Sequence, residues 1–388
     1  MTPDKIIRFP PRNPTKGLVS ARLRDARLAR RLNQSELAAQ IGVSRQAISA
    51  FEAGEKNPDP STMDRLATVL EQPLPFFFVE DGASFGEIGT RFHRAYGAET
   101  KRRNSMCDVL GKWFVQTARY FYDLVSFPAV NVPGVSPAQG DAYDEDEIED
   151  AALECRRAWG LGVGPISNVV GLLETNGVVV CRSEVPGENI DAFSFWNGAR
   201  PFVFLSSDKD SAVRSRFDAA HELGHIVLHR WISQEDLEHP DVLKRVEAEA
   251  NRFAGAFLLP RTSFPNEVYT PRLDAFVDLK RRWKVAIQAM VYRCKDLGIF
   301  DEVQVTNLYK QISFRRWRKR EPLDDTMRLE TPSLLRTAVE LVVSAGRKMA
   351  DEIASDLRIA IPLIAAFCSV SVEYFKPRSG PSFRPALR

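Results

Sequence analysis

The sequence has few cysteines and no paired cysteine motif. Its five cysteines, in 388 residues, are dispersed and form no C-x-x-C pair. An odd, scattered set in a chain of this size excludes a disulfide framework and predicts reduced thiols. We therefore expect a cytoplasmic protein.

Long apolar runs are also missing. No run approaches the roughly 20 apolar residues of a membrane span. The N-terminal residues Met-Thr-Pro-Asp-Lys-Ile-Ile-Arg lack the apolar core of a signal peptide. We expect neither secretion nor a membrane partner.

The chain has no excess charge of one sign. Its 53 Lys and Arg residues balance 51 Asp and Glu residues, with a net charge of +2. This balance excludes a protein that coats nucleic acid, so any basic surface is local. The length predicts two or three domains, and a hydrophobic fraction of 44% supports ordinary cores.

Residues 221–225, His-Glu-Leu-Gly-His, form an H-E-x-x-H motif within a segment of helical pattern. Positions i and i+4 of a helix share one face, so His221 and His225 can bind one metal ion. Glu222 then lies where its carboxylate can act as general base on a metal-bound water. The alternative is a helix with two structural histidines and a surface glutamate.

A second helix is predicted over residues 246–260, where apolar residues recur at helical spacing. Its small alanines allow close packing on the H-E-x-x-H helix. Glu247 would then reach the metal, and two histidines with one carboxylate leave the open fourth position of a catalytic Zn2+ site. Asn251, one turn later, is expected to orient a ligating histidine.

Two other residues are alternative ligands. Glu249 lies about 200° round the helix from Glu247, so only one of the two can face the metal, and Glu247 is favoured. His229 would extend a row of three ligands over about 12 Å, too long for one tetrahedral site. It also misses the longer H-E-x-x-H-x-x-G-x-x-H spacing, so we interpret it as a helix-end residue.

Taken together, these segments resemble the ImmA/IrrE family of zinc metallopeptidases over residues 145–300. The similarity lies in the runs 216–225, 247–254 and 257–260. The resemblance implies a minimal gluzincin-like fold and cleavage of repressor proteins in phage, mobile-element or stress regulation. It implies His221, His225 and Glu247 as Zn2+ ligands and Glu222 as the catalytic base.

Residues 18–72 predict several short helices. Asn33 followed three residues later by Glu36 is a capping-box-like helix start. Gly42 supplies a turn, and Ser44 caps the next helix. A helix, a short turn with glycine, and a helix beginning Ser-Arg-Gln predict a helix-turn-helix whose second helix enters the major groove.

The second helix places Arg45 and Gln46 at base edges, where arginine suits guanine and glutamine suits adenine. Three further candidate phosphate or base contacts are Gln34, Ser44 and Ser49. The first helix is basic, which favours phosphate contact, through Arg22, Arg24, Arg27, Arg30 and Arg31. The alternative is a four-helix protein-binding module that leaves this groove-facing helix unused.

The segments 33–38, 41–44 and 48–54 resemble the phage-repressor (Cro/C1, XRE) helix-turn-helix family. The resemblance implies double-stranded DNA as a partner. A homodimer is expected because such repressors usually read two half-sites.

The region between and after the motifs predicts further elements. Residues 101–127 carry an apolar helical stripe, interpreted as core packing rather than a subunit interface, and residues 128–137 form a Pro-rich linker. Asn197-Gly198 between apolar runs predicts a hairpin. A peptide substrate is expected to pair with one edge of that sheet. The sequence does not identify which strand forms this edge.

Two C-terminal segments have open interpretations. The basic run 314–320 is either a nucleic-acid or acidic-partner site or, as we favour, a solvated linker around a core Trp317. Residues 350–362 weakly resemble another helix-turn-helix, against which Pro362 argues.

These patterns predict a multidomain, mainly α chain with a small α+β domain. A helix-turn-helix bundle of four or five helices would precede a central gluzincin-like zinc-peptidase domain and a helical C-terminal domain. The expected bounds are a flexible N-terminus 1–16, the helix-turn-helix 17–80, a helical connector and linker 81–140, the metallopeptidase 141–300 and a sensing or docking domain 301–388.

Two functions follow. The first is a DNA-binding regulatory zinc metalloendopeptidase that cleaves a repressor-type protein or itself. The second is a non-proteolytic transcriptional regulator or antitoxin-like repressor that uses the peptidase fold to sense or bind a partner. The intact H-E-x-x-H motif with a placed glutamate favours the first.

Overall fold

The computed structural model describes residues 17–79, 89–90, 92, 98–138, 140–183, 192–206 and 211–376. The predicted flexible N-terminus, 1–16, lies outside the described residues. No helix in the described ranges is long and apolar enough to cross a membrane.

The described residues fall into two compact units. The first lies within the bounds Met1–Ser84, Gly97–Leu110 and Arg358–Ala360, and the second within Phe85–Tyr96, Gly111–Leu357 and Ile361–Arg388. The finer division into connector, central and C-terminal domains stays a prediction.

The first unit contains the helices predicted for the helix-turn-helix. They are α1 Ser20–Ala29, α2 Gln34–Ile41, α3 Arg45–Ala53 and α4 Pro60–Val69, followed by the 3-10 helix Leu74–Phe78. Asn33 and Glu36 form a complete capping box at α2, and Ser44 Oγ accepts the Ala47 N–H at 3.1 Å at the start of α3. Gly42, with a φ of 71°, ends α2 in the left-handed region. The predicted caps and turn are confirmed.

The second unit holds a three-stranded sheet and most of the remaining helices. Its elements, in chain order, are the end of α5 Ala98–Tyr122 from Gly111 onward, α6 Glu145–Ala158, α7 Val169–Thr175, β1 Val179–Ser183, β2 Ala192–Asn197, β3 Arg200–Ser206, α8 Ala212–Leu228, α9 Pro240–Leu258, α10 Leu273–Trp283, α11 Ile287–Asp296, α12 Glu302–Phe314, α13 Leu334–Ser344, α14 Ala350–Leu357 and α15 Ile361–Phe367. The described structure is mostly helical with one small sheet, so the predicted fold class is confirmed.

The sheet has the strand order β1-β3-β2. β1 pairs with β3 in parallel, while β2 and β3 form an antiparallel pair in which Asn197 lies opposite Arg200. The predicted Asn197-Gly198 hairpin is therefore confirmed, and Gly198 takes the positive φ of 57° that such a turn needs.

Both faces of the sheet are covered, which explains why its strands are mostly apolar. On one face, Phe114 of α5 packs edge-on to Phe202 of β3 at 5.3 Å between ring centroids. On the other face, Val203 and Leu205 share a core with Leu223 of α8. The apolar stripe of α5 thus packs in the core over its described second-unit residues, as predicted.

The helices α8 and α9 pack against each other at very short range. A Cβ on Gly224 would lie 3.2 Å from the Ala250 Cα and O and from the Phe253 Cβ. The glycine of the H-E-x-x-H motif and Ala250 therefore permit the close approach predicted for this helix pair. α9 begins at Pro240, ahead of the predicted Val246, because proline suits the first helical turn.

The C-terminal segments pack on the same unit. Trp317 packs against the core, and Arg315 pairs with Asp274, in agreement with the linker interpretation of the basic run. α15 packs against β1, and its Phe367 lies 5.5 Å from Phe114 between ring centroids. Residues 350–362 form α14, a short turn and the start of α15, so the weak resemblance to a helix-turn-helix stays a prediction.

Candidate functional site

Three predicted ligands converge between α8 and α9. His221 and His225, one turn apart on α8, direct their Nε2 atoms to within 3.0 Å of each other. Glu247 on α9 lies 3.5 Å from His221 Nε2 and 3.4 Å from His225 Nε2 through its two carboxylate oxygens. One ligand atom from each residue lies within 4.8 Å of the others.

The spacing fits a tetrahedral metal ion. Ligand atoms bonded to zinc at about 2.0–2.1 Å lie about 3.3 Å apart at the corners of a tetrahedron. Both histidines are buried, and Glu247 is half-buried. Burial alone raises the pKa of Glu247, but the imidazoles of His221 and His225 lower it below its usual range, so the carboxylate is ionised.

The first histidine has a hydrogen-bond partner in Asn251, the residue predicted to orient it. Asn251 Oδ1 lies 3.0 Å from His221 Nδ1. Since a carbonyl oxygen only accepts, Nδ1 carries the proton and the lone pair stays on Nε2, the atom that faces Glu247.

A second chain of hydrogen bonds, which was not predicted from the sequence, leads away from the other histidine. His225 Nδ1 lies 3.0 Å from His229 Nδ1, and His229 Nε2 lies 2.9 Å from Glu249 Oε2. Burial lowers the pKa of His229 to about 4, so the ring is neutral. It donates to Glu249 and accepts from His225, which leaves the His225 lone pair on Nε2.

His229 and Glu249 therefore lie beside the candidate metal centre but are not among its three converging side chains. His229 caps the C-terminal end of α8, in line with its interpretation as a helix-end residue. Glu249 also accepts the Tyr143 N–H at 3.2 Å. The signal available in the sequence was the spacing of His229, one turn beyond His225.

Glu222 is buried beside His221 on α8. Its backbone carbonyl accepts the Ser194 Oγ hydrogen bond at 3.4 Å from β2. Strand β2 therefore lies directly beside the turn of helix α8 that carries the H-E-x-x-H motif.

A cavity of about 720 Å³ lies beside α9. Asn251 and Glu249 contribute to its wall, as does Phe217, which lies one turn before His221 on α8. Arg252 and Arg293 add charge to the lining, but Arg293 is tied to Glu149 by a buried ion pair. Asn251 therefore contacts both His221 and this cavity.

The candidate DNA contacts of the helix-turn-helix lie mostly on the surface. Ser44, Arg45, Gln46 and Ser49 are exposed at the start of α3 and along it. Gln34, at the start of α2, is half-buried, and its Nε2 donates to Glu52 Oε2 at 2.9 Å.

The basic first helix is different from its sequence-based interpretation as a phosphate-binding run. Arg22 is buried with its guanidinium over the Phe76 ring at 4.9 Å. Arg27 is buried and bonds Glu52 through two nitrogens, at 2.6 and 2.9 Å. That expectation is wrong for these two arginines, because their long aliphatic stems and paired heads belong to the core.

Comparison with known proteins supports the family resemblance of the α8–α9 region and of the helix-turn-helix. Residues 173–295, which include His221, His225 and Glu247, match the family model of the peptidase M78 family, the IrrE N-terminal-like domain. Residues 23–77 match a helix-turn-helix family model. The cryptic phage CTXphi transcriptional repressor RstR of Vibrio cholerae is 37% identical over 57 residues, which are 15% of this chain and 51% of the relative. The chain thus spans about half the length of this repressor, and the resemblance to both families is confirmed.

Proposed function

We propose that this chain is a DNA-binding regulator with a zinc-dependent endopeptidase site, which cleaves a repressor-type protein or itself. The convergence of His221, His225 and Glu247 carries the proposal. Asn251 and His229 fix both imidazoles with a lone pair on Nε2, which is the form a metal requires. The match to the IrrE N-terminal-like domain supports the peptidase part.

In this proposal His221, His225 and Glu247 hold the ion. When bound there, zinc supplies a Lewis acid that makes water nucleophilic at neutral pH. The carboxylate of Glu222 accepts a proton from the attacking water and delivers it to the leaving nitrogen, so that one water and one peptide bond give a carboxylate and an amine. Asn251 and His229 keep the two imidazoles in place throughout.

The helix-turn-helix would bind double-stranded DNA. Arg45 and Gln46 are proposed to reach base edges from the start of α3, with contacts from Gln34, Ser44 and Ser49. Supporting observations are the exposure of the four α3 candidates and the similarity to a phage transcriptional repressor. A homodimer would match two half-sites.

The proteolytic part is tested with the Glu222→Gln variant. Both proteins are loaded with zinc and incubated with a proteome-derived peptide library, and mass spectrometry follows the peptides and the intact mass of the chain. Wild type should cut peptides or itself, while the variant holds equal zinc and cuts about 10²–10⁴-fold more slowly.

Two results contradict the proteolytic part. Equal cutting by both proteins removes Glu222 as the base. Zinc bound by both proteins without cutting by either makes the chain a non-proteolytic regulator, the second function that the sequence predicts.

A further inference from the structure

The strand β2 has an outer edge beside the candidate metal centre. Within the described sheet β2 pairs with β3 on one side only. It lies along α8, where Ser194 Oγ donates to the Glu222 carbonyl and Trp196 Nε1 donates to the Ile226 carbonyl at 3.2 Å. An outer strand presents backbone groups that can pair with an extended peptide.

A short segment of this same chain already pairs with that edge. We call Gly89, Thr90 and Phe92 the Phe92 segment. The Gly89 N–H donates to the Trp196 carbonyl at 2.7 Å, and the Phe92 N–H donates to the Ser194 carbonyl at 3.5 Å. Since the later residue of the segment meets the earlier residue of β2, the segment runs antiparallel to the strand.

Side chains fasten the Phe92 segment over the histidines. The Phe92 ring stacks on the His225 ring, with 4.4 Å between centroids and 7° between planes. Phe92 is only 4% exposed and packs with Ile232 in a small apolar cluster. Thr90 Oγ1 donates to the Ile232 carbonyl at 2.5 Å.

These contacts indicate which kind of peptide the outer edge of β2 can bind. The backbone must be extended to pair with β2, and a small residue suits position 89, where a Cβ would lie 3.2 Å from the Trp196 carbonyl oxygen. The position over His225 accepts a flat aromatic ring. A stacked ring pair contributes binding free energy beyond that of its buried area.

We propose that the outer edge of β2 is a peptide-binding edge whose ligand is an extended segment with an aromatic side chain over His225, and that the Phe92 segment fills it in cis. This inference rests on the proposed peptidase function and names the class of peptide that the metal centre meets. A peptide from another chain must displace the Phe92 segment, which competes at the high effective concentration of a tethered ligand.

The test measures binding of a fluorescein-labelled peptide with the sequence of residues 87–96, Glu-Ile-Gly-Thr-Arg-Phe-His-Arg-Ala-Tyr. All full-length proteins carry Glu222→Gln, so that a bound peptide is not cut. Adding Phe92→Ala should tighten peptide binding by about 10- to 100-fold, the contribution of one buried aromatic side chain to the cis contact. Adding Phe92→Tyr instead keeps the ring and should leave the affinity unchanged.

Two further controls keep the test decisive. Thr90→Val keeps the shape of the side chain, loses its bond to Ile232, and should tighten binding by a few-fold even where Phe92→Ala does not fold. A peptide with alanine in place of its phenylalanine should bind at least about 10-fold more weakly to every protein.

The inference is overturned if Phe92→Ala and Thr90→Val leave the peptide affinity unchanged. It is also overturned if the peptide with phenylalanine and the peptide with alanine bind equally well. Zinc content measured on the same samples separates it from the proposed function. Bound zinc without the expected change in peptide affinity overturns the inference alone. The expected change without bound zinc supports the peptide-binding edge and contradicts the metallopeptidase.

Discussion

The helix-turn-helix and the α8–α9 pair hold their candidate functional side chains in opposite ways. Ser44, Arg45 and Gln46 stand exposed at a helix start whose position is set by local caps. His221 and His225 are buried, and each is oriented by a residue from α9 or from the end of α8. A surface that reads a large partner needs only a rigid helix, whereas a metal centre needs each ring fixed by a partner of its own.

The two regions also differ in the partners of their buried charged side chains. In the first unit the buried ion pair of Arg27 with Glu52 holds α1 against α3. In the second unit the half-buried Glu247 and the buried Glu249 lie beside histidines. The Arg27–Glu52 pair therefore serves structure, whereas Glu247 and Glu249 lie where they can serve the candidate metal centre, and four variants test this comparison.

The largest effect is expected at the buried ion pair of the first unit. Arg27→Ala leaves Glu52 without its bidentate partner and removes the bond to the Leu32 carbonyl, so it should lower the free energy of unfolding by about 3–5 kcal/mol. Denaturant unfolding measures the loss. The exposed Arg24→Ala on the same helix is the control and should change stability by less than about 0.5 kcal/mol. Equal effects would place Arg27 on the surface.

His229→Phe sharpens the comparison at the metal centre. It preserves a ring but removes the acceptor of the His225 Nδ1–H, so zinc affinity should fall by about 10- to 100-fold. Competition with a chromogenic chelator measures the dissociation constant. His239→Phe, at an exposed histidine, is the matched control and should bind zinc like wild type. Unchanged affinity in His229→Phe would mean that His225 needs no orienting partner.

Gly224→Ala tests the close approach of α8 and α9. The added methyl group meets the backbone of Ala250 and the Phe253 Cβ at 3.2 Å, and the resulting overpacking should cost about 1–3 kcal/mol. Gly255→Ala is the control, since its Cβ would meet only the Arg293 side chain at 3.7 Å, an ordinary contact. Thermal unfolding should show a lower midpoint for the first and an equal or higher midpoint for the second. The reverse order would exclude a close helix crossing at Gly224.

Arg45→Ala gives the smallest and most specific effect. Loss of a base contact should weaken binding by about 1–3 kcal/mol at one position of the operator, with little change for other sequences. Fluorescence anisotropy on a set of single-base operator variants, selected from a random duplex pool, measures this profile. A uniform loss across all sequences would instead make Arg45 a phosphate contact.

Local patterns carried most of what the sequence predicted correctly. The Asn33–Glu36 capping box, Gly42 and the Asn197-Gly198 hairpin depend on neighbours within a few residues, so their signals are complete in the sequence. The small residues of the helix pair were equally readable, because Ala250 recurs at helical spacing with the residues around it.

The features that were missed depend on contacts between distant segments. Glu249 lies away from Glu247 on α9, as predicted, but only the fold brings it to His229. Arg22 and Arg27 read as surface charges because their partners Phe76 and Glu52 lie on other elements. The Phe92 segment carries no periodic pattern that would link it to β2.

The metal content of the purified chain tests the central claim most directly. Wild type and the control His239→Ala should each bind about one zinc per chain after zinc is supplied, and His221→Ala should bind none. Zinc that is absent from wild type, or unchanged in His221→Ala, would contradict a metal centre at His221, His225 and Glu247.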